Sequence, residues 1–520
     1  MSEGTDSNIP PPPLEPHRLK ARRIGVLASD EPVVFMRVDC PVCRSEGLSS
    51  RSRVLLRTGE RSVICTLFQV STDWLGVGEA GLSETAWELL DVREGDPVTV
   101  QHPVPLTSFS QVRARIFGNR LNATQFREIL NDIAARRYSG IETAAYLVSG
   151  SSFPLDQEEM VALTRVMVDI GETLTWRQSP VVDKHCVGGL PGNRTTPIIV
   201  AVAAALGLTM PKTSSRAITS PAGTADAMET LAPVDLDLPS IRRVVDLEGG
   251  CIVWGGAIRL SPADDLLIRV ERVLDLDSEG QLVASVLSKK VAAGASHLVL
   301  DIPVGPTVKV RTTAAGEALA AQLTSVAARF GIATEVVITD GKQPVGIGVG
   351  PALEARDVLA VLQQTPGFPK DLHARACMLA GALLELSGKA ASGEGAILAA
   401  QTIANGGAWA KFQRICEAQG GLRVPPTAQH RRPRLAGVSG QVISIDNRRI
   451  ARIAKLAGAP ASKAAGVEMH VRVGNAVAAG QPLFTVYAET PGELDYALAY
   501  ADAGPEAVEI GESGPERKKA

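Results

Sequence analysis

The chain of 520 residues is long enough for about three or four domains at the soft prior of ~150 residues each, and every one of them can bury its own core. Its 53 basic and 56 acidic residues leave a formal charge of -3, so no net field marks out a nucleic-acid or membrane partner, and a small molecule is the expected ligand. Seven scattered cysteines are too few for a disulfide framework and read as free thiols.

Residues 1–17 are polar and proline-rich, without a charged start and apolar core, and read as a disordered tail rather than a signal peptide. The longest apolar run of note, Ile198 to Leu208, is far short of the ~20 residues of a membrane span. A cytoplasmic location is the expectation. Residues 18–104 alternate in short runs such as SVICTLFQV and form a β-rich accessory domain. It closes with a helix from Glu84 to Leu90 capped by Ser83, then a turn at Glu94-Gly95-Asp96 into Val98 to Val100. Cys40 and Cys43 make a CxxC there, but no second pair or nearby histidine completes a zinc site, and no metal is expected.

From 105 to 172 the spacing turns helical, with Phe126, Ile129, Leu130 and Ile133 on one face and a capped start at Asp156. Residues 262–296 are helical again, so the helical domain is expected to be built from both segments. Between and after them, residues 173–261 and 297–430 alternate strands such as LVLDIPV and TEVVIT with helices, the pattern of a parallel α/β domain. The cleft between these lobes is the expected site. Gly346 to Gly350 reads as a turn, and from Val438 to about Ala488 the chain reads as strand and turn. GVEMHVRVGNAVAAGQPLFTV, residues 466–486, is similar to half of a biotinyl or lipoyl barrel, with Glu468-Met469-His470 where a carrier lysine would stand; a structural C-terminal β domain of barrel-sandwich type is expected over 435–505. The whole is thus a multidomain α/β and α+β chain.

VVDKHCVGGLPGNRTTP, Val181 to Pro197, carries the most information. Val181 and Val182 start a buried strand, Gly188, Gly189 and Gly192 turn the backbone, and a helix follows with Thr196 as its expected N-cap and Pro197 at its first position. Backbone N–H groups and the positive end of the helix dipole, with Lys184 beside them, form a pocket for a phosphate-sized anion. The spacing is neither that of a P-loop nor GxGxxG, which argues against a nucleotide triphosphatase or a dehydrogenase. KTSSRAITSPAGT, Lys212 to Thr224, is a second anion-friendly stretch, rich in hydroxyls and placed before a short helix at Ala225 to Leu231. Asp226 in that helix would disfavour a phosphate on its axis. In ASVLSKK, Ser285 and Lys289 are four apart and share a helix face that could hold a planar ring.

Together these clusters resemble the thymidine and pyrimidine-nucleoside phosphorylase family, most closely its branch of type 2 thymidine phosphorylases and AMP phosphorylases. Asp183-Lys184-His185-Cys186-Val187-Gly188-Gly189 is similar to the family's DKHSxGG, Ser285 to Lys290 to its SxxxKK, and TDGKQPVG to its TDMNQPLG, a likeness covering about residues 107–490. The resemblance implies phosphorolysis: phosphate and thymidine giving thymine and 2-deoxyribose 1-phosphate, or, in the AMP branch, adenine and ribose 1,5-bisphosphate. It implies Lys184, Thr196 and Thr224 at phosphate, with His185 and Lys289 catalytic and Ser285 at the base. In the nucleotide branch it implies Asp277 as proton donor, and Gly189, Ser215, Arg216, Ala217, Ile218, Thr219, Ser220, Thr224, Ser285 and Lys309 lining the substrate site. Cys186 stands where the thymidine enzymes bind phosphate with a serine, and Val270 where they grip the pyrimidine with an arginine. An inactive nucleotide-binding regulator is the reading those two departures favour. No cofactor is expected beyond phosphate as co-substrate, and a homodimer or higher homo-oligomer is expected.

Overall fold

In the computed structural model the described residues are 18–28, 31–217, 220–274, 276 and 278–511. The chain divides into two compact units, Met1–Ser110 with Ala135–Ser139, and Gln111–Ala134 with Gly140–Ala520.

The first unit is built on a closed barrel whose strands run in the order Arg18–Arg23, Glu79–Leu82, Val33–Arg37, Arg61–Val70, Arg53–Thr58 and Pro97–Gln101. Closure removes the unpaired edges that so short a sheet would otherwise expose. Val34, Met36, Val54, Leu56, Leu67 and Val98 fill its core, and Cys40, Cys43 and Cys65 are buried free thiols in the same cluster. Ser83 caps the helix Glu84–Leu90 by accepting the Ala86 N–H, and also accepts the Val33 N–H.

The second unit holds the helices and the α/β core. Ala123–Ala134 and Gln157–Asp169 pack together, Glu279–Ala292 lies along Gln157–Asp169, and Pro262–Leu274 packs on Ala123–Ala134 and Gly140–Ser152. A capping box at Asp156 and Glu159 starts Gln157–Asp169, and Glu159 also pairs with the buried Arg115 at 2.6 Å. The central sheet is parallel, in the order Ala333–Asp340, His297–Val304, Val182–Cys186, and a second parallel pair joins Met210–Ser214 to Gly250–Trp254. Thr195–Ala205 is apolar on every side because it is buried on every side, packed among the helices Lys370–Leu386 and Gly407–Gln419.

Two local expectations need correction. Gly346 to Gly350 is not merely a turn, because Gly348–Val349 forms a short strand against Gly466–Met469. The C-terminal region is not strand and turn alone: Asn447–Leu456 and Pro491–Asp502 are helices packed on each other, and its first strand begins at His430. NRRIARIAKL buries Ile450, Ile453 and Ala454 on one face, a 3.6-residue repeat that overrides the surrounding β pattern. The helical run at 262–296 is two helices, Pro262–Leu274 and Glu279–Ala292.

Candidate active site

The strand Val182–Cys186 ends at the glycine loop because Gly188, Gly189 and Gly192 all adopt positive φ. Space as well as torsion requires glycine at 192, where a Cβ would stand 2.0 Å from the Val345 carbonyl oxygen. The helix that follows starts two residues earlier than its sequence suggests. It spans Thr195–Ala205 with Arg194 at the cap position, so Thr196 is not the N-cap and Pro197 falls within the first turn rather than at its first position.

Arg194 is held elsewhere. Its Nε donates to Glu354 at 2.8 Å, one terminal nitrogen donates to the Thr224 hydroxyl at 2.6 Å and the other to the Ala222 carbonyl at 2.9 Å. One guanidinium therefore ties the glycine loop to the end of the hydroxyl-rich loop. Burial raises the Glu354 carboxyl's pKa, opposed by Arg194, and Glu354 also accepts the Gly350 N–H.

Two buried carboxylates organise the lysines. Asp183, 2% exposed, accepts from Lys212 at 2.9 Å and from the Lys184 backbone N–H at 2.7 Å, and its other oxygen forms an ion pair with Lys290 at 2.8 Å. Although burial opposes its charge, the lysines prevail and hold its carboxyl below the usual range. Asp301, fully buried, lies 3.4 Å from the Lys184 ammonium and accepts from Thr339 at 2.7 Å and Asn193 at 3.0 Å. Lys184 is itself 1% exposed, and its ammonium donates to the Thr195 hydroxyl at 3.0 Å, at the first turn of the helix.

His185 follows on the same strand. Burial, reinforced by Lys290, Lys212, Lys184 and Lys289, lowers its pKa well below the ordinary value, so the imidazole is neutral at physiological pH. It can donate or accept a hydrogen bond but adds no charge. Burial and the neighbouring Asp301 push the Cys186 thiol up to about 12, and its sulfur accepts from Asn193 at 3.3 Å. That thiol is no nucleophile at neutral pH.

Ser285 and Lys289 do share a face, and a third residue explains why. Both reach one carboxylate oxygen of the fully buried Asp264, Ser285 at 2.8 Å and Lys289 at 2.5 Å. Burial opposes the charge on Lys289, but Asp264 outweighs it and raises the pKa, so this ammonium is permanent.

In the hydroxyl-rich stretch the helix runs Thr224–Glu229, rather than Ala225 to Leu231, with Gly223 at its cap. Asp226 accepts the N–H groups of Ala217 and Gly223 at 2.6 and 2.9 Å, occupying two donors an anion could otherwise use. Arg216 grips Glu229 with both terminal nitrogens at 2.8 Å and lies over the Trp254 ring. Ser215 is exposed, and Ser220 donates to the Ala222 carbonyl. Gly189, Ala217, Ser220 and Lys309 line one cavity of about 1060 Å³. Ile218, Thr219 and Asp277 lie outside the described residues.

Asn193, Arg194, Asp264, Asp301 and Glu354 were not singled out by sequence. A signal existed for Asp301, the one charge in LVLDIPV, since an isolated carboxylate in a buried strand must be paired. Arg194 and Asn193 sit inside the glycine loop already recognised, but nothing local shows that they reach Thr224 and Asp301.

Residues 178–409 match the glycosyl transferase family a/b domain, and residues 441–506 match the pyrimidine nucleoside phosphorylase C-terminal domain. The chain is 61% identical over 491 residues to a Sphingopyxis alaskensis protein named "Putative thymidine phosphorylase", covering 94% of this chain and 95% of that one. A protein of the same name from Chelativorans sp. is 59% identical over 503 residues, 96% of this chain and 99% of the other. This chain belongs to the pyrimidine nucleoside phosphorylase family. It is a pentosyltransferase, acting on small-molecule nucleoside and phosphate. An anthranilate phosphoribosyltransferase structure from Thermus thermophilus covers 59% of the chain at 22% identity with a TM-score of 0.48, too distant to inform the site. Every residue of the two lysine–carboxylate clusters falls within the matched glycosyl transferase segment, and no described helix is long and apolar enough to cross a membrane.

Proposed function

We propose that this phosphorylase cleaves pyrimidine 2′-deoxynucleosides, thymidine first, releasing the free base and 2-deoxyribose 1-phosphate. The observation that carries the reading is the double arrangement of fixed cations. On one side Lys184 orients Thr195 at the start of a buried helix whose N–H groups can receive phosphate. On the other, Asp264 holds Lys289 and Ser285 as a preformed donor pair.

In this reading a phosphate oxygen attacks C1′ as the C1′–N bond breaks, and its electron pair departs with the base. Lys289 and Ser285 face the negative charge developing on the pyrimidine, and neutral His185 hydrogen-bonds the base. Thr196 and Thr224 complete the phosphate site, the latter held by Arg194. Because these dipoles and cations are fixed before substrate arrives, little reorganisation opposes the transition state.

A second reading, phosphorolysis of a nucleoside 5′-monophosphate such as AMP, is favoured by one observation: the cavity beside Gly189 and Lys309 is about 1060 Å³, at the upper end of ordinary small-ligand sites. The test is to incubate the protein with phosphate and, separately, thymidine, uridine, cytidine, AMP and CMP, and to measure released base by chromatography. Thymine release with little adenine supports the first reading. Adenine from AMP with thymidine untouched moves the activity to the nucleotide.

A further inference from the structure

The hydroxyl-rich loop after Met210–Ser214 lines the cavity with Ala217 and Ser220, and one buried carboxylate closes its base. Asp226, 2% exposed, accepts the N–H groups of Ala217 and Gly223 on a single oxygen, Oδ2, at 2.6 and 2.9 Å. The two ends of the loop are in contact: a Cβ on Gly223 would stand 2.5 Å from the Ser215 carbonyl oxygen and 2.7 Å from the Ala217 nitrogen. A charged acceptor binds two N–H groups more strongly than a neutral one, so the closure of this loop depends on Asp226 staying ionised.

A buried carboxylate needs a counter-charge. The other oxygen of Asp226 lies 3.5 Å from Arg216 and 3.4 Å from the ammonium of Lys463. Arg216 is already committed, since both its terminal nitrogens donate to Glu229 at 2.8 Å. Lys463 pairs with Glu229 as well, at 2.7 Å, and Arg216 together with Lys463 holds the Glu229 carboxyl down to about 2 although burial opposes its charge. Arg216 and Lys463 thus balance Asp226 and Glu229, and without Lys463 one guanidinium would have to serve both carboxylates.

Lys463 comes from the C-terminal region, between Asn447–Leu456 and Gly466–Met469, 237 positions after Asp226. Its backbone is fixed independently of its ammonium: the Lys463 carbonyl accepts the Ala352 N–H at 3.0 Å, at the start of the helix Pro351–Gln363. Two residues on, a Cβ on Gly350 would lie 2.4 Å from the Ala465 carbonyl oxygen, so the segment is packed tightly whatever side chain stands at 463. In the first turn of Pro351–Gln363, Glu354 holds Arg194, and Arg194 holds the Thr224 hydroxyl. Thr224 therefore has a tie that does not pass through Lys463, whereas the Ala217 and Gly223 ends of the loop depend on Asp226.

We propose that Lys463 is a positioning residue through which the C-terminal region shapes the substrate site: by balancing Asp226 it fixes the Ala217 and Gly223 ends of the hydroxyl-rich loop. The kinetic half of its test rests on the phosphorylase reading, and the other half does not need turnover. Hydrogen exchange on the full-length protein would compare the wild type with Lys463→Met, Lys463→Arg and Asp226→Asn. The Ala217 and Gly223 amides should exchange about tenfold faster in Lys463→Met and Asp226→Asn and near the wild-type rate in Lys463→Arg, with Gly466–Met469 unchanged. In steady-state kinetics on thymidine or AMP, whichever the wild type cleaves, Lys463→Met should raise the KM for that substrate about tenfold, leave the KM for phosphate within about twofold and kcat within about threefold, and be largely rescued by Lys463→Arg. Adding Asp226→Asn to Lys463→Met should cost little more than either change alone, because both break one interaction. Unchanged exchange at Ala217 and Gly223 overturns the proposal, as does faster exchange at Gly466–Met469, which would make Lys463 a docking residue of the C-terminal region. A faster loop with an unchanged substrate KM, or a rise of both KM values alike, overturns it too. Loop exchange that depends on Lys463 in a protein that cleaves neither substrate leaves the tie standing and defeats the phosphorylase reading.

Discussion

The lysines around Asp183 and Asp301 and the arginines of the C-terminal helix are both cationic groups near one glycine loop, yet their surroundings differ in kind. Lys184, Lys212 and Lys290 are 1–4% exposed and each is matched to a carboxylate, whereas Arg448 and Arg452 are exposed along an open cavity. A buried cation with a buried partner builds the site, because either one left alone carries a large desolvation cost. A cation on a cavity wall costs little to keep and is available to a ligand.

That contrast gives the largest expected effect. Asp183→Asn leaves Lys212 and Lys290 buried without their shared counter-charge, so urea denaturation should show a loss of about 3–5 kcal/mol together with loss of activity. The Arg448→Ala/Arg452→Ala pair should stay within about 0.5 kcal/mol per site of the wild type, as surface changes do. Equal destabilisation by both would erase the distinction. By the same reasoning Lys184→Ala is not a clean catalytic probe, since it removes the nearer cation of the buried Asp301, leaving only Arg375 among the described residues, at 3.7 Å, as well as releasing Thr195.

The next effect lies at the opposite cluster. Lys289→Gln keeps a donor near Asp264 but removes the charge that meets the departing base, so kcat should fall about a hundredfold; the buried Asp264 also loses its counter-charge, so the midpoint of urea denaturation should fall while far-ultraviolet circular dichroism without urea stays unchanged. A fall in phosphate affinity alone, with kcat intact, would place Lys289 with the phosphate instead.

How far the sequence carried these assignments follows from the range of the interactions. The caps at Ser83 and Asp156, the glycine loop and the shared face of Ser285 and Lys289 depend on residues a few positions apart, so they were legible. Asp264 is 21 positions from Ser285, Glu354 is 160 from Arg194 and Asp301 is 108 from Asn193, and no local pattern reports such pairs. Arg216 shows the converse. Its place in a hydroxyl-rich loop suggested a ligand contact, but Glu229, on the next helix, already engages it. The C-terminal helix was missed because the strand-like segments around it dominated a short amphipathic run.

A smaller effect concerns His185, whose folded-state pKa lies below its unfolded value because burial and four lysines disfavour the imidazolium. Below about pH 6.5 the unfolded chain takes up a proton that the folded one refuses, so this group subtracts stability as pH falls, by at most about 1.4 kcal/mol per pH unit. Above that pH the penalty is gone. Urea titrations at successive pH values should show a shallower acid decline for His185→Gln than for the wild type; parallel curves would mean that the ring is solvated and easily charged.

The smallest effect should come from Cys186, which separates the building role from the binding role at a single atom. Its sulfur accepts from Asn193 at 3.3 Å, and Asn193 in turn donates to Asp301, so the thiol touches the buried network while standing at the mouth of the glycine loop. A hydroxyl is both a better acceptor from Asn193 and a better donor to phosphate. Cys186→Ser should therefore leave stability within about 1 kcal/mol and lower the KM for phosphate by roughly two- to tenfold, the worth of one neutral hydrogen bond. Steady-state kinetics at varied phosphate would register that change with kcat little altered. If instead stability falls and KM stays the same, position 186 belongs to the buried scaffold with Asp183 and Asp301, and the anion is held by the helix N–H groups and Thr196 without help from the strand.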